Sequence, residues 1–373
     1  MSTLSIFSNH VNLAYVSDMP IYGWMRTYRR RLYFFEKKIY VVAISGIFLI
    51  RTAFRPVLPR HIGTIMQYKT SQRTVIGYLC LTFSIISWGC TFISTKILLN
   101  AFNPIEILFI RFFAAYAGLW LLAPRPLKLD GSKGNPPRIK QELYFAGAGI
   151  FAVTLYQFLE NIALSYSQAS NVSLIASTAP IFTAAAIRLF LKNSPQAKPL
   201  SLRFILGFIC AMAGIALISF SGATELKLNP LGDFLAFVGA VVWAGYSVLI
   251  VKVNDLNLPP LESTRRIFFY ALVTLVPVAL FSGIETDSAI NAARFSNPVY
   301  IGHFLFLGIG ASALTYSAWA LAGKYLGIVK ISLFIYVIPV ITVIAAAVFL
   351  NERFTLMSVI GTLLTILGLF VSG

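Results

Sequence analysis

The sequence predicts an all-α integral membrane protein in which ten transmembrane helices form two inverted five-helix repeats. Composition is the first observation behind this. Of 373 residues 58% are hydrophobic and 12% charged, with a mean hydropathy of +0.79, whereas a soluble chain carries about 25% charged residues. The second is length, because the apolar runs reach the roughly 20 residues that one bilayer crossing needs. The third is repetition. Ser173-Leu174 stand seven residues before Pro180 and Ser332-Leu333 seven before Pro339, and paired glycines follow, Gly207 with Gly214 and Gly361 with Gly368. The offset between copies runs from 154 (Gly207 to Gly361) to 159 (Pro180 to Pro339).

Taken in order, the expected spans of the first repeat are 75–98, 104–124, 143–164, 168–191 and 202–220. Those of the second are 232–252, 264–283, 300–323, 328–350 and 355–372. Because five is odd, the second repeat must enter the membrane from the opposite face. The charges agree. With residue 74 on the inner side, the inner connections and span ends carry Arg125, Lys128, Lys133, Arg138, Lys140, Arg188, Lys192, Lys198, Arg203, Lys252, Arg265, Arg266, Lys324 and Lys330. The outer ones carry Lys96, Lys227, Arg294 and Arg353, and this bias predicts an N-in, C-in protein. The connection 124–142, with Asp130-Gly131-Ser132-Lys133-Gly134-Asn135-Pro136-Pro137, is expected to be a flexible basic inner loop.

The first 65 residues differ in kind. They hold Arg29-Arg30-Arg31, Lys37-Lys38 and an apolar run from Val41 to Ile50 that is too short to cross a bilayer. They read as an N-terminal basic extension, possible as an interfacial anchor, with the functional protein expected to begin at Met66, whose following residues 67–73 make an ordinary basic leader.

Several function classes are excluded. The net charge of +17 sits in short connections between apolar runs and not in a solvated groove with stacking aromatics, which argues against a nucleic-acid partner. Cys80, Cys90 and Cys210 lie inside apolar spans without metal or disulfide spacing, and His10, His61 and His303 are scattered, so neither a metal nor a cofactor is expected. A GxxxxGK[ST] loop is lacking, as are a Gly-x-Ser-x-Gly elbow and a pair of acids at helix spacing.

The chain resembles a known family at particular residues. Trp88-Gly89, Phe92 and Lys96 in the first span, Pro104 and Arg111 in the second, Ala163-Leu164 before Ala169, and Pro180 are similar to the EamA-type repeat of the drug/metabolite transporter superfamily. Phe349-Leu350-Asn351-Glu352-Arg353-Phe354, leading to Gly361 and Gly368, resembles that family's Leu-x-Glu-Arg connection. The likeness covers about 75–372, as a first repeat over 75–220 and a second over 232–372. It departs in the first repeat, where Lys192-Asn193-Ser194-Pro195-Gln196 replaces the Glu-Arg pair, and in the second, where Ala244 answers Gly89. The resemblance implies a secondary transporter of small metabolites such as amino acids, or of drugs, in a bacterial cytoplasmic membrane. An exporter driven by a proton or substrate gradient is the expectation, with an intramembrane enzyme or a passive channel as the alternatives.

An inverted repeat places its substrate site near the midplane, between the repeats. At about 1.5 Å per residue, Trp88, Thr178, Pro180, Trp243 and Pro339 each fall roughly midway along a span. The prolines withhold a backbone donor and could expose a carbonyl to a cavity. Arg111 lies about 10 Å and Glu160 about 6 Å from the outer ends of their spans, and each is expected to be the other's partner. Tyr156, Gln157 and Asn161 in the third span, Tyr316 and Trp319 in the eighth, and Ser332 with Tyr336 in the ninth complete a lining suited to a small organic solute. Lys96 is close enough to its helix end to snorkel.

Overall fold

A computed structural model describes residues 64–129, 135–167, 169–197, 199–220, 229–281, 287–350 and 356–372. The expected extension 1–65 falls almost wholly outside the described residues, as do Asp130–Gly134 of the basic loop and Asn351–Phe354 of the Leu-x-Glu-Arg connection. Among the described residues all regular structure is helical. The helices are α1 (Thr64–Leu98), α2 (Pro104–Leu122), α3 (Arg138–Tyr166), α4 (Ala169–Ala176), α5 (Ala179–Phe190), α6 (Leu202–Phe220) and α7 (Pro230–Asp255). There follow α8 (Pro260–Phe281), α9 (Ser288–Phe295), α10 (Pro298–Leu326), α11 (Ile328–Leu333), α12 (Ile338–Leu350) and α13 (Leu356–Ser372). Eight helical stretches are long and apolar enough to cross a membrane; two further apolar stretches, Leu202–Ile218 and Val359–Ser372, are shorter. The chain is a multi-pass membrane protein.

Local chemistry sets the helix starts. Three of them open on Asn-Pro: Asn103, Asn229 and Asn297 each accept a backbone N–H through the side chain, from Glu106, Gly232 and Val299, and a proline whose missing N–H costs nothing follows each. At α2 the cap is reciprocal, since Glu106 Oε2 accepts from Asn103 N at 2.8 Å, and Arg294 of α9 closes on the same carboxylate at 3.0 Å. Arg265 of α8 donates to the carbonyls of Ala123 and Arg125 just past α2, lying 3.9 Å over the Trp120 ring. Arg266 pairs with Glu142 of α3, which also accepts from Tyr270 Oη.

Five expected spans differ from what the sequence suggested; the first begins at Thr64, 11 residues before the expected start at 75 (75 − 64). The fourth and ninth are broken, not continuous: α4 and α5 are parted at Ser177-Thr178, and α11 and α12 by a 3-10 turn at Phe334–Val337. In both places a proline follows, which cannot donate to the carbonyl four residues back. The third and eighth are longer than predicted, because Arg138–Glu142 before the third apolar run, and Pro298-Val299 and Lys324-Tyr325-Leu326 around the eighth, continue the helix beyond it. Each carries a π-helical segment, Ile150–Gln157 and Phe306–Leu314, beginning 156 residues apart (306 − 150). Helix α9, polar and short, was not anticipated.

Helices α6 and α13 touch backbone to backbone. A Cβ on Gly207 would meet Gly368 and Ser372, and one on Gly214 would meet Gly361 and Thr365. Rising numbers on α6 thus meet falling numbers on α13, so the two run antiparallel. Glycine is required here because any side chain would part the helices.

Candidate functional site

The cavity lies where α1, α3 and α7 meet the two broken helices. It encloses about 480 Å³ of unfilled space, counting its mouth. Of the residues singled out from sequence, Trp88, Tyr156, Gln157, Glu160 and Trp243 line it. Phe92 and Ser173, noted in the sequence only for the family likeness and the repeat, line it as well, as do Thr91, Ala176, Ser177, Ala179, Ile335 and Ile338, which sequence reasoning had not named. Ala176 and Ile335 are the residues four before Pro180 and Pro339, so the residues whose carbonyls the prolines cannot serve are among those lining the cavity. That spacing was a usable signal.

Beneath the cavity the aromatic side chains form one cluster. Trp88 contacts Trp243, Tyr316 and Trp319 at ring-centroid distances of 5.5, 5.6 and 4.9 Å. Trp243 contacts Tyr156 at 4.9 Å and Tyr246 at 4.8 Å, and Phe112 and Phe268 close the cluster against Tyr316. Edge-to-face and tilted arrangements prevail, as ring quadrupoles favour. Trp319 and Tyr316 are buried in this layer and do not line the cavity. The indole N–H groups of Trp88, Trp243 and Trp319 find no acceptor among the described residues.

The expected Arg111–Glu160 ion pair is not formed. Arg111 is buried; its Nε donates to Ser312 Oγ at 2.7 Å and its Nη1 to Gln157 Oε1 at 2.8 Å. Glu160 instead accepts from Tyr156 Oη at 2.5 Å, one turn back on its own helix. Depth explains the correction. Gln157 lies three residues further from the Tyr166 end of α3 than Glu160, about 4.5 Å deeper, which is the level of Arg111 on the neighbouring α2. Gln157 Nε2 reaches Tyr316 Oη at 3.4 Å, so Arg111, Gln157, Ser312 and Tyr316 form one polar layer across the interior. Ser312 was missed because nothing in an apolar run marks which hydroxyl an arginine from another helix will meet.

Of the remaining predicted residues, Asn161 and Tyr336 link helices and the others make local contacts. Asn161 Nδ2 donates to Pro104 O at 3.2 Å, and Thr178 Oγ1 donates to Ile175 O at the break before Pro180. Ser332 Oγ donates to Val329 O, Tyr336 packs beside Phe208, and Pro339 sits at the start of α12. Lys96 remains exposed, as a side chain near its helix end can be, and its Nζ donates to Leu164 O at 2.6 Å and Ser167 O at 3.3 Å, serving carbonyls at the end of α3. Among the described residues no cluster of His, Cys, Asp or Glu could hold a metal ion.

Eight helical stretches long enough to cross a membrane, with an internal cavity whose wall holds the buried carboxylate of Glu160, define the class as a multi-pass membrane protein. The sequence model of the EamA-like transporter family matches residues 75–220 and again 230–373, and the chain belongs to that family. It is 29% identical over 300 residues to an uncharacterized transporter of Archaeoglobus fulgidus, covering 79% of this chain and 96% of that one. With the uncharacterized transporter YyaM of Bacillus subtilis it shares 29% over 301 residues, 80% of this chain and 93% of the relative. A solved crystal structure shares the fold at a TM-score of 0.59 and 20% identity, over 81% of this chain and 96% of that one. The protein is a transporter of the membrane.

Proposed function

We propose that the chain is a secondary transporter that moves small metabolites, amino acids or related compounds, or drugs outward across the cytoplasmic membrane. It works by alternating access between two inverted halves of five spans each, 75–220 and 232–372, with both termini in the cytoplasm. One observation carries the reading. Trp88 and Trp243, 155 residues apart (243 − 88), meet at 5.5 Å on the floor of the cavity, so the solute site lies where the two halves join. The antiparallel contact of α6 with α13 supports the inversion.

The lining fits a small organic solute: aromatic faces, an amide, hydroxyls and the single carboxylate of Glu160. A proton or solute gradient supplies the energy. The test is flux in proteoliposomes holding the purified protein, with candidates drawn from metabolites whose levels inside and outside the cell differ between deletion and overexpression strains. Accumulation against a gradient, driven by an imposed opposing gradient, is expected. Dissipative flux alone would make it a channel, and chemical conversion of the solute would make it an enzyme. Orientation is read separately by cysteine labelling: Ser288→Cys should react from outside the cell and Ser132→Cys only after permeabilisation.

A further inference from the structure

The connection after α5 departs from the family's Leu-x-Glu-Arg pattern, and the transport cycle as proposed gives it no part. Yet it reaches across the molecule. Helix α10 ends at Leu326, Gly327 turns the chain at φ 90° and ψ 137°, and α11 begins at once. The residue at the cap is a glycine, so it offers no side chain to accept from the first N–H groups of α11. Gln196, 132 residues earlier, accepts them: its Oε1 takes Ile328 N–H at 2.6 Å and Val329 N–H at 3.4 Å.

Gln196 is itself held in place. Its own N–H donates to Ser194 Oγ at 3.3 Å, Ala197 N–H to Ser194 O at 2.9 Å, and Arg188 Nη1 to Ala197 O at 3.3 Å. At its other end α11 runs through the 3-10 turn into Ile335 and Ile338 of the cavity wall. A single amide of the first half thus fixes one end of a second-half segment whose other end touches the solute space. Both ends of α11 are built to pivot. Gly327 occupies a backbone region that favours glycine, and the 3-10 turn has weaker hydrogen bonds than an α-helix.

We infer that Gln196 is a positioning residue, a latch between the two halves that holds α11 over the cytoplasmic end of the cavity and lets go when the carrier opens inward. The inference rests on the alternating-access reading and its cytoplasmic orientation for the connection. With the amide gone, the first turn of α11 loses its cap and the inward-open population grows.

The reporter is Ser332→Cys on α11, a fully buried position, in a background with Cys80, Cys90 and Cys210 replaced. Labelling by a membrane-impermeant maleimide is followed in inside-out vesicles. Gln196→Met, which keeps the length and removes the acceptor, should raise the labelling rate on the order of tenfold, the shift that losing a typical cap produces. Gln196→Glu, which restores an acceptor oxygen, should return it to the parent rate. If Gln196→Met does not fold, Gln196→Asn keeps the amide but shortens its reach, and should also raise the rate. Parent-rate labelling in either folded variant overturns the latch. Raised labelling in Gln196→Met beside a parent protein that moves no solute overturns the transport reading, and with it the latch's part in a transport cycle, while leaving Gln196 as the cap that closes α11.

Discussion

The two halves of the molecule agree in their frame and differ in their chemistry. Both have a proline-broken fourth span, a π segment in the third, a tryptophan on the cavity floor and two glycines in the fifth. At an offset of 155, however, Gln157 is answered by Ser312, and Glu160 by Thr315. Arg111, which is buried against both halves, is answered by Arg266, which pairs with Glu142 and is 39% exposed. The packing elements and both floor tryptophans have kept their twin, whereas the interior polar groups Gln157 and Glu160 have not. A carrier built from like halves can thus present its charged groups from one side only.

The sharpest way to break this comparison is at its symmetric part. Gly214→Leu and Gly361→Leu each drive a side chain into facing backbone and should cost about 3 kcal/mol or more, the upper end of overpacking. Folded yield in detergent should collapse for both alike. A collapse in one and not the other would show that the pair is not equivalent.

Next in size is the asymmetric arginine. Arg111→Ala should bring flux to background while the protein stays folded, because the partners it leaves, Gln157 and Ser312, are neutral. Arg266→Ala, at the half-exposed site, should keep most of the flux, since such pairs contribute about 0–1 kcal/mol. Equal losses would place both arginines in the same role.

A smaller effect is expected at the carboxylate. Glu160→Gln leaves an acceptor for Tyr156 Oη but removes the titrating group, so flux should lose its response to an imposed pH gradient while solute exchange persists. Thr315→Ala should leave the pH profile as it was. Retained pH response in Glu160→Gln would move proton coupling elsewhere. The smallest effects concern the cavity floor, where Trp88→Ala and Trp243→Ala should change the ratio of solutes carried by several-fold to about tenfold. Trp243→Ala should act more strongly, because its ring also holds Tyr156 and Tyr246.

The duplication, the apolar runs and the prolines were legible in the sequence because each leaves a fixed mark: an offset, a length, a missing donor. The Asn-Pro starts were equally visible and were overlooked. The π segments were not legible, since a shift from i→i+4 to i→i+5 bonding needs no special residue in Ile150–Gln157 or Phe306–Leu314. Five of the site residues chosen from sequence line the cavity, and they stood out because they are large or polar groups inside apolar spans. Ala176, Ala179 and Ile338 face it through the path of the broken helices, which no local property of an alanine or isoleucine records. The Arg111 contact fell between these cases, since depth along α2 and α3 points to Gln157 while charge pointed to Glu160.

The contact between α6 and α13 has one more consequence. Exchanging the halves at an offset of 154 turns the approach of Gly207 to Ser372 into that of Gly361 to Ile218, and the approach of Gly214 to Thr365 into that of Gly368 to Ala211; all four approaches are present. The glycine is the same on each side, but its neighbour is a serine in one case and an isoleucine in the other, a threonine and then an alanine. In an assembly of two identical chains a single substitution appears at both places at once and must suit both. Carried on one polypeptide, the two places are inherited separately, and each can be altered while the other stands.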